Sequence, residues 1–356
     1  MLQNVAGLSS ISLRAVYIHN LGTSIFEYFK NFFTEIVAGN CDMASCYPRT
    51  LVSKMMVTPQ NLKACIKIEL YLKYIINDYS MKHIAVLLTV HNRKNKTLMC
   101  LQHLYAQNSV HGYSFDVWLT DDGCTDGTAE SVQEEYPQVN IVKGDGELFW
   151  NRGMHAAWEA ATKVQDYDYY LWLNDDTFLY PYAIDYMLQS SHKFGDKNII
   201  VGATCSKDAP NETTYAGFNG KKFVRVNGTF QKLQKFNGNF VLIPRSVYGV
   251  LGMNDPYYRH SYGDIDYGLR ANKAGISCYL TEKYIGTCEL HEHKIKCFDT
   301  KYSLKERMRH FYSPLGMNPF EFYHMNRKSL GLFRAVAVFV STHVRVLIPQ
   351  LWGNKK

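Results

Sequence analysis

The 356-residue sequence has no apolar run long enough to cross a bilayer, which excludes a protein built on membrane-spanning helices. Its opening lacks the charged head and clean apolar stretch of a secretory signal. The nine cysteines are scattered, with no Cys-x-x-Cys pair; Cys41 and Cys46 lie closest together. That excludes a zinc ribbon or finger, and reduced thiols in a cytoplasmic chain are expected. No block of Lys and Arg has the length of a nucleic-acid-binding arm, so nucleic acid is excluded as a partner. Internal repeats and low-complexity tracts are absent too.

What remains is ordinary globular material, 46% hydrophobic and 20% charged, far from the composition of a disordered chain. The net charge of +7 fits an anionic ligand or an acidic membrane surface. Tyrosine is abundant, at 26 residues, and suits either sugar faces or a Tyr-rich core. The stretch Leu330–Trp352, LGLFRAVAVFVSTHVRVLIPQLW, is interrupted by Arg334, His343 and Arg345. It reads as an amphipathic helix, either packed on the domain or lying peripherally on the inner face of a membrane.

Three segments follow from the patterning. Residues 1–80 show no clear alternation and read as an N-terminal extension, or as sequence upstream of a domain that starts at Met81. Residues 81–300 read as an α/β domain, and 301–356 as a C-terminal helical region. Ile84–Val90 is a continuous apolar run, as in a strand buried on both faces. Strands are then expected at 115–120, 139–142 and 169–173, alternating with helices at 97–106, 128–135, 154–163 and 181–191. Hairpins are expected over 215–229, strands at 240–243 and 277–280, and helices at 245–251 and 265–273. Alternation of this kind predicts a mostly parallel sheet with helices on both faces. Ligands of such sheets gather at the carboxyl ends of the strands.

Polar clusters stand at those ends. Thr89, Asn92 and Arg93 follow the first strand, where side chains can hold a base edge and a phosphate. Asp121 and Asp122 open the run DDGCTDGT after the second; a carboxylate there can accept from a pyrimidine N–H. The run KGDGELFWNRGMH brings Trp150, Asn151 and Arg152 to a helix start that favours a diphosphate. The alternative is a loop whose Phe149 and Trp150 plug the core. Asn174, Asp175 and Asp176 close the fourth strand, where a carboxylate can hold Mg²⁺ or Mn²⁺. Asn237 and Asn239 precede GDIDYGLR, in which Asp264 can act as general base; the competing reading there is an ordinary helix start with an Asp266–Arg270 ion pair. His291 and His293, in CELHEHK, share one face if extended, and His291 is the favoured further metal ligand.

In this order the clusters resemble family 2 glycosyltransferases of the GT-A fold, over about residues 81–320. TVHNR is similar to the opening motif, DDGCTDGT to the base-binding motif, NDD to the DxD, and GDID to the acidic catalytic motif. GDGELFWNRGMHAA and YSLKERMRHFYSPLGMNP resemble the rhamnosyltransferase-like group. The resemblance implies a Rossmann-like parallel sheet with an acceptor-side subregion and C-terminal helices. It implies that Asp122, with Asp121, binds the base, that Asn174 lies near the ribose and that Asp176 ligates Mn²⁺ or Mg²⁺. It implies Asp264 as base, Asn237 and Asn239 near the acceptor, and His291 as a further ligand. Asn174 departs from a strict DxD, and no QxxRW motif of processive synthases appears. The expected activity is a single, inverting, metal-assisted transfer from a dTDP-rhamnose-like or UDP-sugar donor to a glycan or lipid-linked acceptor. A nucleotidyltransferase would want a Gly-rich loop after the first strand, which TVHNRKNKT lacks. A catalytically dead sugar-nucleotide-binding protein would lack Asp264.

Overall fold

Alternate residues of the first strand are apolar on both sides, and both sides are covered. Ile84, Val86 and Leu88 face one core, Ala85 and Leu87 the other, and none of the five has exposed surface. Such a strand is stable only inside a sheet with a layer on each face. The computed structural model describes residues 81–108, 112–290 and 296–352, and it contains that sheet. The extension read over 1–80 lies outside the described residues.

The strands are β1 (Lys82–Val90), β2 (Tyr113–Asp121), β3 (Asn140–Lys143), β4 (Tyr169–Leu173), β5 (Phe178–Leu179), β6 (Ile199–Cys205) and β7 (Thr213–Tyr215). They continue with β8 (Gly217–Asn219), β9 (Lys222–Val224), β10 (Gln231–Leu233), β11 (Lys235–Phe236), β12 (Phe240–Pro244) and β13 (Cys278–Thr287). The main sheet runs β10-β13-β6-β12-β4-β1-β2-β3, with β5 on β13 and β7 on β6; β11, β8 and β9 form a small second sheet. β4, β1, β2 and β3 are mutually parallel, as are β6 and β13. β12 is antiparallel to both β4 and β6.

Helices α1 (Lys94–Tyr105), α2 (Thr128–Glu135) and α4 (Ala183–Lys193) cover one face. On the other lie α3 (Phe149–Val164), α5 (Arg245–Leu251) and α6 (Gly263–Lys273). In α3 the residues Met154, Ala157, Trp158 and Ala161 recur at helical spacing and are fully buried. Trp158 packs on Trp172 and Tyr267. Tyr167, Tyr169, Tyr170, Tyr258 and Tyr267 are almost fully buried, so much of the tyrosine excess is core.

Several elements differ from the sequence pattern, among them the short strands β5, β7, β10 and β11, which it does not contain. α3 starts at Phe149 rather than 154, because a carboxylate distant in sequence caps it. β6 is missing from the pattern; Gly202 breaks its apolar run, yet a Cβ there would meet Ile285 and Phe240 at 2.7 and 2.8 Å. β13 continues past Leu280 to Thr287 across irregular register on β6, where charged Glu282 and Lys283 disguise it.

The C-terminal helices are α7 (Leu304–Tyr312), α8 (Pro319–Leu330) and α9 (Leu332–Leu347). Ser303 and Glu306 form a capping box on α7, and the Asn318 side chain caps α8. α8 is fastened to the segment before α6: Arg259 pairs with Glu321 at 3.1 Å, and Lys328 bridges Asp255 and Asp266 at 3.0 and 2.7 Å. No described helix is long and apolar enough to cross a membrane.

Candidate active site

The topology decides which loops meet. Parallel register sets Val90 beside Asp121, and Leu87 beside Trp172. The residues after β1, β2 and β4 therefore emerge on one edge. β12 runs the other way, with Phe240 opposite Leu173, so the residues before it reach the same edge. β13 is parallel to β6 and ends there as well, delivering Cys288.

The first two loops are stitched together. Asn92, at φ 51°, accepts from the Thr125 N–H at 2.7 Å, while its own N–H meets the Cys124 thiol at 3.2 Å. His91 Nδ1 lies 2.6 Å from the Asp122 carbonyl. Asp121 accepts from the Cys124 N–H at 2.9 Å, closing the turn. Gly123 and Gly146 pack backbone to backbone: a Cβ on Gly123, which has φ +67°, would lie 2.9 Å from the Gly146 Cα.

Asp122 is buried, and its carboxylate accepts from three backbone N–H groups: Gly146 at 2.9 Å, Leu148 at 3.2 Å and Phe149 at 2.8 Å. It thus caps α3 from the end of β2 and fixes the 144–149 loop. This corrects the expectation that the α3 start receives a diphosphate. The N–H groups of Asn151 and Arg152 are also directed at a protein group, the Arg259 carbonyl.

Asn151 and Arg152 are corrected with it. Asn151 has no exposed surface; its amide donates to the carbonyls of Asp255 and Tyr258 at 2.8 Å each and accepts from Asn254 at 2.7 Å. Arg152 donates to the carbonyls of Pro256 and Tyr257. Both hold the 254–259 segment, Asn151 from the interior and Arg152 from the surface. Asn151→Ala removes three interior hydrogen bonds, those to the Asp255 and Tyr258 carbonyls and that from the Asn254 amide. A loss of about 2–4 kcal/mol in unfolding free energy is expected. Denaturant titration checks it, and a loss below roughly 0.5 kcal/mol would refute the structural assignment.

Trp150 points the other way, into the site. Its Nε1–H donates to the Asn174 side chain at 2.7 Å, and its ring meets Trp172 edge-on. A Cβ on Gly238 would lie 2.5 Å from the same indole and 3.3 Å from the Asp264 Cβ. The Asn174 N–H donates to the Asn239 carbonyl at 2.9 Å. Thr89 lies beneath, against Gly153, where no Cβ would fit.

Asp175 and Asp176 are both buried, at 4% and 6% exposure, and share Arg93. One guanidinium nitrogen lies 3.1 Å from Asp175 and 2.9 Å from Asp176. Thr97 adds a 3.4 Å bond to Asp175. Burial nevertheless pushes the Asp175 carboxyl up to about 6, against the pull of Arg93. Asp176 also meets the Cys288 thiol at 3.6 Å, and Cys288 in turn meets Asn239 at 3.5 Å. Burial pushes that thiol up to about 12, so it stays protonated. Cys288 went unnoticed in the sequence, where only the histidines of CELHEHK stood out.

Asp264 lies in the first turn of α6. One oxygen accepts from the Gly238 N–H at 3.0 Å and the other from the Ile265 N–H at 2.8 Å. Burial lifts its carboxyl to about 6 although both hydrogen bonds oppose the shift. The neighbouring Asp266 pairs with Arg270 at 2.9 Å. The ion pair read in GDIDYGLR is therefore present, on Asp266 and not on Asp264. Asn237, in the same turn, is fixed through its N–H to the Ala216 carbonyl.

His291 and His293 lie outside the described residues. Among those described, no three His, Cys, Asp or Glu side chains converge in a metal-binding group.

No curated protein matches the chain by sequence. Among solved structures it is similar to TarS 1–349 of S. aureus, at 12% identity over 58% of this chain and 60% of that one, with a TM-score of 0.42. It is also similar to the mannosyltransferase PcManGT from Pyrobaculum calidifontis in complex with GDP-Man and Mn²⁺, at 12% identity over 76% and 81%, with a TM-score of 0.45. The chain thus spans less than two thirds of that TarS fragment. Residues 85–252 match the family model of glycosyl transferase family 2. That stretch runs from β1 past α5 and supplies the doubly covered sheet with its acidic strand ends; over it, the chain is similar to glycosyl transferase family 2.

Proposed function

We propose that the protein is an inverting glycosyltransferase that moves a sugar from a nucleotide diphosphate donor to a hydroxyl of a glycan or lipid-linked acceptor. One observation carries the reading: Trp150 touches the Asn174–Asp176 loop on one side and the Gly238–Asp264 pair on the other. Acids from distant stretches of chain therefore share one edge of the sheet.

The roles follow from what each group has left to offer. The base lies against the stitched turns of Asn92, Asp121 and Asp122; beyond its three N–H donors, Asp122 keeps about one acceptor position for a base N–H. Asn174, oriented by Trp150, faces the ribose. Asp264 removes the acceptor proton, and its raised pKa makes it a stronger base than an ordinary carboxylate. Asn237 and Asn239 frame the acceptor side. A single base, with no second carboxylate hydrogen-bonded beside it among the described residues, fits one in-line displacement, hence inversion.

A divalent cation fits this site in part. Asp175 and Asp176 are buried carboxylates side by side at the end of β4, and Asp176 would be the ligand; the remaining ligands would come from the donor diphosphate. When bound, Mn²⁺ or Mg²⁺ offsets charge on the leaving diphosphate. Arg93 meanwhile holds the two carboxylates together.

The test is a thermal-shift screen of dTDP-, UDP- and GDP-sugars with Mn²⁺ or Mg²⁺, followed by transfer assays with the best donor. A donor at about 100 times its Kd stabilises the fold by about 2.7 kcal/mol, a readily measured shift. If no nucleotide sugar shifts the melting point, the reading fails.

A further inference from the structure

α9 shows solvent two different surfaces. Ala335 and Val346, with no exposed surface, mark its packed side. Leu332, Phe333, Val336, Val340 and Leu347 recur three, four or seven residues apart, so they form a single stripe, and all are exposed. Phe333 is 89% exposed. Arg334 and Arg345, about three turns apart, form a second exposed stripe on another side of the helix. Leu330, Ile348 and Leu351 extend the apolar surface at the two ends.

The charge of the chain collects here as well. Residues 301–356 hold ten Lys and Arg against two Glu, whereas residues 1–300 hold 29 against 30 Asp and Glu. The whole positive excess lies in the helical tail. Such a face repels a second copy of itself.

We infer that α9 docks the protein on an anionic bilayer. Its apolar stripe inserts among the acyl chains, and Arg334 and Arg345 meet headgroup phosphates. The ties from α8 to Asp255, Arg259 and Asp266 couple this face to the segment that leads into Asp264. Docking itself does not depend on the transfer reaction; a lipid-linked acceptor presented from the same surface would rest on that reading.

The test is sedimentation of the full chain with phosphatidylcholine vesicles, with or without about 30 mol% phosphatidylglycerol. At least about tenfold more protein should pellet with the anionic vesicles, and roughly 0.5 M salt should weaken the binding. The double variant Phe333→Glu, Val340→Glu should lose at least about tenfold in binding while keeping its melting point and its nucleotide-sugar-induced shift. Lys221→Glu, an exposed charge change outside the tail, should bind as wild type does. Equal pelleting of wild type and double variant overturns the inference. So does a concentration-dependent dimer that the double variant breaks without vesicle binding, which would assign the face to a second copy.

Discussion

Asp264→Asn lowers kcat by about 10²–10⁴-fold and leaves donor affinity within about twofold of wild type. The amide occupies the carboxylate's volume and can still accept from one of the two N–H groups, of Gly238 or Ile265, that hold it. What it lacks is basicity. A thousandfold loss is about 4 kcal/mol of transition-state stabilisation, within reach of a single proton acceptor at the reacting oxygen. Wild type should carry the signature of that acceptor in its pH profile. The carboxyl titrates at about 6 instead of 3.8, chiefly through burial, and only the ionised form accepts a proton. Log kcat/KM should therefore fall with a slope of one below about pH 6 and be flat above it. Stability has the opposite sign. A carboxyl whose pKa is raised by folding stabilises the fold at low pH, and that contribution is lost as pH rises through 6. The variant should compare best with wild type in melting point above pH 6, where the charge is buried, and less well near pH 4. Donor binding that disappears with the mutation would make Asp264 a donor ligand and remove it as the base.

Most of the sheet was legible because its strands obey local rules. β1 and β4 are uninterrupted apolar runs bounded by polar loops, and α2, β4 and α5 begin and end where their sequences indicate. The acidic strand ends were legible for the same reason, since a carboxylate directly after a buried run must surface at the sheet edge. Partners distant in sequence were not. Asn151 and Arg152 stand in a Gly-rich run that resembles an anion loop, and only the folded chain brings the carbonyls of 255–258 to them. Asp122 likewise looks like a free acid until the 146–149 N–H groups close on it. Cys288 was hidden because a lone cysteine carries no periodicity, and β13 because Glu282 and Lys283 interrupt its apolar pattern.

Asp176→Ala abolishes the metal-dependent part of donor binding, by at least about tenfold in affinity. Two buried carboxylates meet at one guanidinium nitrogen, in low-dielectric surroundings that strengthen the attraction of each carboxylate for a cation. Removing Asp176 leaves Arg93 paired with Asp175 alone. The remaining pair is neutral, and the attraction for a divalent cation goes with the lost carboxylate. Arg93 has 41% of its side chain exposed and can relax onto the single partner, so the fold should survive. Donor-induced shifts measured with Mn²⁺ and with EDTA separate the contributions. Wild type should lose most of its shift in EDTA, whereas the variant should show the same small residual shift in both buffers. Asp175→Ala offers the contrast, because its loss also removes the partner of Thr97 and should lower the melting point of the free protein more. If EDTA leaves wild-type turnover unchanged, Arg93 alone suffices to balance the carboxylates, and the site works without a metal ion.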